Sequence, residues 1–444
     1  MTYKENILRT IKLAYPVIIG QLGFIMMGVV DSMMVGSVGA VPLGAASLGN
    51  SLTMIIFIIG IGISFAVTPL VAIEVGAKRY DNCGVYFRQS LLVNLLIGAV
   101  LLIVTYFCAG FLDYFNISNE VTVLAKSYMR IIGFGALPLM LFQTYKQFIE
   151  GLSIMRPAMV ITLLANIVNA FVNWVLIFGK LGFPALGLDG AGWATFFSRL
   201  FMAFALMYYV MNREYFKQYD VSFHFKNINK RIIKKILSLG VPSGFQYFFE
   251  VGAFSFAVIM IGWLGTDQLA AHQIAINLAS VSFMVVLGIS MAGGIRVSNA
   301  LGGQSVKNVR QAGFTAIFLA ICVMLFSGIT FIILRSFLPT LYIDDPKVIS
   351  IASSLLIIAA MFQLSDGIQA VGIGILRGLT DVKIPTLITF VAYWIVGLPV
   401  GYLLGFVLQY DVRGVWMGLF AGLTTSAILL TLRFNNKSKR IIKV

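Results

Sequence analysis

Residues 213–235 read REYFKQYDVSFHFKNINKRIIKK, the only long polar stretch in a chain of 444 residues, and they divide it into near-equal halves. On both sides the sequence is overwhelmingly apolar: 59% of the chain is hydrophobic and 11% charged, whereas an ordinary soluble domain is about a quarter charged. Apolar runs long enough to cross a bilayer, which takes roughly 20 residues each, recur from end to end. A water-soluble core is excluded, and no stretch is left for a sizeable soluble domain. The polar segment therefore reads as the joint between two membrane-embedded halves.

Working outward from it, spans are expected near 11–35, 44–73, 88–112, 121–149, 157–179 and 189–212, and then near 234–264, 268–300, 311–338, 347–377, 384–408 and 412–432. Sliding one half over the other by 226 residues aligns Leu13 with Leu239, Pro16 with Pro242, Gly36 with Gly262, Gly39 with Gly265 and Leu43 with Leu269. Farther along, Gly62-Ile63-Ser64 meets Gly288-Ile289-Ser290, Val71 meets Val297 and Gly76 meets Gly302. A second echo pairs Gly151-Leu152-Ser153 with Gly378-Leu379-Thr380, after a slip of one residue. Six spans per copy is an even number, so the second copy starts on the same side as the first. The fold class is all-α integral membrane, with twelve transmembrane helices in two parallel-repeat lobes, an arrangement used for alternating access. The domains expected are a six-helix lobe over 1–212, a linker over 213–233, a second lobe over 234–432 and a basic tail over 433–444.

The formal net charge of +15 does not point to nucleic acid, because the basic residues sit in short loops rather than on one folded face. Alternate loops hold Lys78, Arg79 and Arg88, then Arg156, then Arg213 through Lys235, then Lys307 and Arg310, then Lys383, and finally the tail. The opposite loops hold only Lys126, Arg130, Lys180, Arg335, Lys347 and Arg413. By the positive-inside rule both termini are expected in the cytoplasm. The N-terminus runs straight into a long helix, without the short core of a removable signal. Cys83, Cys108 and Cys322 stand singly, with neither metal-ligand nor disulfide spacing.

Three carboxylates fall well inside spans: Asp31 in the first, Glu250 in the seventh and Asp366 in the tenth. A charge at that depth costs about 2.5–3.5 kcal/mol even on the lenient insertion scale, so each needs a partner, a proton or a bound cation. The alternative is a buried ion pair that only holds helices together. No basic residue is expected at comparable depth in the seventh or tenth helix, which favours a proton or a sodium ion at Glu250 and Asp366. Gln246, Asn277 and Ser365 are candidate neutral oxygen donors. In the fifth span Asn166, Asn169 and Asn173 fall at i, i+3 and i+7 on one helix face; they are either interhelical glue or a polar site with Asp31. His272 reads as a packed residue near a helix start. The 19 methionines and 36 phenylalanines suit a cavity for varied flat apolar cations, and lipid-facing packing explains them equally well. No Walker loop, zinc-protease helix or nucleophile elbow is present, so an enzyme is not expected and transport would draw on an ion gradient.

The segments MMGVVDSMMVG around Asp31, LGVPSGFQYFFEVGAF around Glu250, AAHQIAIN at His272 and FQLSDGIQAVGIGILRGLTDVKIP around Asp366 resemble the multidrug and toxic compound extrusion (MATE) family, in its NorM-like branch, over essentially the whole chain. The resemblance implies an antiporter of the inner membrane that exports organic cations, drugs or dyes in exchange for Na⁺ or H⁺, with no cofactor beyond that coupling ion. It implies that Glu250 and Asp366 form a cation site in the second lobe and are the sodium ligands if the ion is Na⁺. It implies a first-lobe site of Asp31, Asn169 and Asn173, although Asn166 is additional and no acid stands in 160–179. The partners expected are the substrate cation, the coupling ion and the bilayer, for a chain acting as a monomer without nucleic acid. Two rivals are a lipid-linked precursor flippase of the same superfamily, which calls for more basic residues inside the lobes, and a membrane-embedded enzyme, which calls for a catalytic cluster.

Overall fold

The computed structural model describes residues 3–114, 118–221 and 228–440. Every long apolar run becomes a helix, since in hydrocarbon each backbone N–H and C=O must be satisfied within the segment. In chain order these are α1 Tyr3–Gly36, α2 Ala40–Gly76, α3 Tyr80–Cys108, α4 Asn119–Gly151, α5 Arg156–Phe178 and α6 Leu188–Asn212. The second half supplies α7 Lys230–Leu264, α8 Thr266–Gly302, α9 Val306–Leu334, α10 Pro346–Gly378, α11 Lys383–Val407 and α12 Asp411–Arg440. Eleven of them are long and apolar enough to span; α4 is a pair, Asn119–Phe134 and Ala136–Gly151, bent by 40°. Counted as one span, the pair makes twelve among the described residues, and each coincides with an expected span to within several residues.

The repeat is visible in the backbone. Gly39 and Gly265, 226 residues apart, open α2 and α8 with φ of 147° and 142°, a region that a side chain rarely tolerates. Lys78 and Gln304, again 226 apart, are left-handed at 57° and 53°. Ser153 and Thr380, in the echo displaced by one residue, are left-handed at 65° and 57°. The copies differ in where their helices yield: α2 breaks between Ser64 and Val67 whereas α8 is unbroken, and α11 contains two π-helical turns, Val391–Gly397 and Leu403–Val407, whereas α5 is regular.

Contacts divide the chain into two compact units, Ile19–Gly244 and Met1–Ile18 with Phe245–Val444, called here the N-unit and the C-unit. These bounds differ from the 1–212, 213–233 and 234–432 read from the sequence, and side-chain contacts supply the reason. In the C-unit, Arg296 of α8 donates to the Asn6 carbonyl at 2.7 Å, to the Thr10 hydroxyl at 2.5 Å and to the Asn6 side chain, fastening the start of α1. In the N-unit the segment after α6 is packed rather than free: Phe216 and Tyr219 are buried, and Arg88 donates to the carbonyl and carboxylate of Asp220 at 2.5 and 2.6 Å. Residues 222–227 of the expected linker and 441–444 of the expected tail lie outside the described residues. The start of α7 stays with the N-unit through Lys235, which donates to the Tyr86 hydroxyl at 3.0 Å. The exchange obeys the repeat: Gly62 lies against Gly244, and Gly288 against Ile18, so closely that a Cβ on either glycine would stand 2.5 or 2.4 Å from its neighbour.

Within the C-unit, α8 and α10 approach through small residues, as membrane helices do. The Ser290 hydroxyl donates to the Ala370 carbonyl at 2.6 Å and that of Ser298 to Gly378 at 2.9 Å. That grip sets the height of the α10 side chains that follow.

Candidate functional site

Each unit contains a buried polar centre built on the carboxylates expected within spans, and the N-unit also buries Glu150 of α4 beside Lys146 at 3.9 Å. In the N-unit, α1 carries Asp31 and α5 presents its asparagine face. Asn173 donates from Nδ2 to Asp31 Oδ1 at 2.5 Å and to Asn169 Oδ1 at 3.2 Å, while Thr195 of α6 donates to Asp31 Oδ2 at 3.2 Å. Asp31 is 9% exposed and both asparagines are fully buried. The structure thus joins Asp31, Asn169 and Asn173, as the sequence suggested, and adds Thr195. Asn166 bonds elsewhere. Its Nδ2 donates to the Gly23 carbonyl at 3.0 Å and to the Thr162 carbonyl at 2.9 Å, tying α5 to α1. Asn166 is thus interhelical glue, whereas Asn169 and Asn173 lie with Asp31. Asn173 Oδ1 is buried with no hydrogen-bond partner among the described residues, a capacity that a small polar species can use.

Arg199, one turn beyond Thr195, lies within electrostatic reach of Asp31. Its guanidinium sits 5.3 Å from the Phe57 ring centroid and donates weakly to the Ile132 carbonyl at 3.5 Å. This cation stands in the sixth span, where a survey of loop charges passes over it.

In the C-unit, Glu250 of α7 is joined to α10 and α11 by a chain of hydrogen bonds. Tyr393 donates to Gln369 Oε1 at 2.5 Å, and Gln369 Nε2 donates to Glu250 Oε1 at 3.1 Å. Gln369 is three residues beyond Asp366, on the same face of α10. Asp366 is buried, makes no hydrogen bond among the described residues, and lies within electrostatic reach of Glu250 and Tyr393. Tyr393 comes from the first π-helical turn of α11, a kind of distortion often found at functional positions.

The centre differs from expectation in two respects. Arg377, near the end of α10, lies within electrostatic reach of Glu250, so a basic group bears on this centre although it does not stand at the depth of Asp366. The auxiliary donors are engaged elsewhere: Gln246 donates to Thr389 at 3.3 Å, Ser365 bonds Thr424 at 2.8 Å, and Asn277 accepts from Gln273 at 3.2 Å on an exposed face. The neutral groups that the sequence passed over are Gln369 and Tyr393. His272 is a packing residue, buried and accepting at Nδ1 from the Trp416 indole at 3.0 Å. Among the described residues no group of three or more His, Cys, Asp or Glu is assembled that could hold a metal ion, so a cation at either centre would rely on one or two carboxylates with amide and hydroxyl oxygens.

A repeated bundle of apolar helices, with a buried carboxylate centre in each unit, defines a polytopic α-helical membrane protein with polar sites inside its units. The sequence profile of the MatE family matches residues 16–175 and 242–403, one block in each half. The chain is 34% identical to the multidrug resistance protein NorM of Vibrio vulnificus over 98% of its own length and 96% of that protein. It is also 34% identical to the multidrug resistance protein MdtK of Photorhabdus laumondii, covering 99% and 97%. Among solved structures it superimposes on a MATE protein in a bent conformation with a TM-score of 0.91 at 20% identity, covering 100% and 97%, and on the eukaryotic MATE transporter AtDTX14 with 0.88 at 20%, covering 99% and 98%. The chain belongs to the MatE family.

Proposed function

We propose that this protein is a secondary active antiporter of the inner membrane that exports organic cations in exchange for Na⁺ or H⁺ by alternating access between two lobes, with both termini cytoplasmic. One observation carries the reading: Glu250 and Asp366 are buried near each other on different helices, with Arg377 the cation within reach of Glu250. With all three ionised, this centre holds two negative charges against one positive, an imbalance that is very unfavourable in a low dielectric. A proton, a sodium ion or a cationic substrate each restores neutrality, and because only one is needed they compete. Competition for one charge vacancy is what exchange of ion for drug requires. The names of the bacterial relatives, multidrug resistance proteins, support drug export as the outcome.

The flippase reading is weaker, because three basic groups inside the spans are accompanied by acids, Arg199 by Asp31, Arg377 by Glu250 and Lys146 by Glu150 at 3.9 Å, and a fourth, Arg296, is bound to Asn6 and Thr10. That leaves little positive charge for an anionic headgroup.

Efflux of a cationic dye from loaded cells tests the proposal. Cells producing the protein should clear ethidium faster than cells without it, and collapsing both the sodium and proton gradients should abolish the difference. Clearance that persists without either gradient would overturn ion-driven exchange.

A further inference from the structure

The C-unit has an open cavity of about 690 Å³ at the start of α9, lined by Lys307, Arg310, Gln311, Phe314 and Phe318 of that helix and by Ile7 of α1. With Thr315, which also lines it, the α9 residues fall at i, i+3, i+4, i+7, i+8 and i+11, so they form one stripe along the helix. The stripe is graded along its length: its first turn is cationic, and two turns farther on it is aromatic. From Lys307 to Phe318 it runs about 16 Å at 1.5 Å per residue. Lys307 is exposed and Phe318 is 54% exposed, while Arg310 stacks over Phe314 at 5.1 Å.

Arg310 also binds the end of α12, donating to the Asn435 side chain at 3.0 Å and to the Ser438 hydroxyl at 2.9 Å. This brings the exposed Lys437, Lys439 and Arg440 to the same end of the unit. The described start of α9 and end of α12 contain no acid, and Glu5 is the only one in the first turn of α1. A cationic mouth leading into an aromatic furrow matches a molecule with an anionic head and an apolar tail.

We infer that this groove is a binding site for an anionic phospholipid, with the phosphate at Lys307 and Arg310 and an acyl chain along Phe314 and Phe318. Basic pockets at the ends of membrane helices are suited to such headgroups. No residue lining the groove belongs to either carboxylate centre, and the inference does not depend on the transport reading.

Native mass spectrometry of the intact purified protein, titrated with phosphatidylglycerol or phosphatidylcholine of identical chains, tests it. The wild type should bind phosphatidylglycerol the more tightly. Lys307→Ala should weaken phosphatidylglycerol roughly fivefold, as expected for loss of one cation near an anionic headgroup, and leave phosphatidylcholine unchanged. Phe318→Ala should weaken both lipids. Glycerol 3-phosphate, which has the head chemistry without a tail, should not displace the lipid at equal concentration. Equal affinity for the two lipids, indifference to Lys307→Ala, or displacement by glycerol 3-phosphate would each overturn the proposal.

Discussion

The two polar centres occupy units built from the same repeat, yet they do not occupy the same places in it. Asp31 transposes by 226 residues onto Ala257, which is fully buried in the apolar core of the C-unit. Glu250 transposes onto Phe24, and Asp366, in the register displaced by one, onto Leu139 in the core of the N-unit. The scaffold was duplicated and the chemistry was not. The charged surroundings differ as well: the Asp31 carboxylate lies within electrostatic reach of Arg199, whereas Glu250 lies within reach of a second carboxylate, Asp366, and of Arg377. Burial makes two neighbouring carboxylates costly, so under the proposed exchange the C-unit centre is the one that recruits the cation.

That contrast can be broken most decisively at the carboxylates. Glu250→Gln and Asp366→Asn should each abolish gradient-dependent dye efflux while the protein still inserts, since removing one negative charge brings the centre to neutrality without an ion. The double variant should be no worse than either single one. Expression checked by immunoblot and efflux by dye fluorescence decide it, and full efflux by either single variant would sink the shared site. Asp31→Asn should be milder, slowing efflux several-fold without abolishing it, because the amide keeps the shape of the centre but leaves Arg199 without its carboxylate. If Asp31→Asn is as inactive as Asp366→Asn, the proposed difference between the centres is wrong.

Smaller effects sharpen the comparison. Tyr393→Phe removes the hydroxyl that orients Gln369 toward Glu250, and one such hydrogen bond is worth about 1 kcal/mol. The ion concentration for half-maximal efflux should therefore shift by roughly fivefold, with the maximal rate little changed; a changed maximal rate at constant ion affinity would contradict an orienting role. Asn166→Ala should be the mildest of all, costing about 0.6 kcal/mol of helix-packing stability, read as a small loss in thermal unfolding midpoint in detergent, with ion dependence intact. An altered ion dependence would place Asn166 in the site rather than beside it.

What the sequence made legible follows from how directly each feature depends on local chemistry. The spans could be read because hydropathy alone selects them, and Asp31, Glu250 and Asp366 because a carboxylate in an apolar run is conspicuous. Asn169 and Asn173 could be read from their helical spacing, but the division of labour with Asn166 could not, because it depends on whether α1 offers a carbonyl at Gly23 or a carboxylate at Asp31. Arg199 and Arg377 were legible as basic residues within spans and were obscured by attention to loops. Tyr393 gave no signal: it lies in an apolar run and reaches Gln369 from a π-helical turn, which residue spacing does not announce. The unit boundaries were illegible because they hinge on contacts hundreds of residues apart, such as Arg296 with Asn6.

The trade of helix starts has a consequence for how such a chain could arise. Residues up to Ile18 belong with the second half, residues up to Gly244 with the first, and 18 and 244 are equivalent positions in the repeat. A reciprocal exchange of equivalent segments is the signature of a domain swap, and here both participants are joined in one polypeptide. It is the arrangement expected if the ancestor was a homodimer of six-span subunits, oriented alike in the bilayer, each lending the beginning of its first helix to the other before fusion. A gene cut within 213–233 would restore that condition: neither fragment alone would contain a complete unit, and the two co-expressed should reassemble into a working pair.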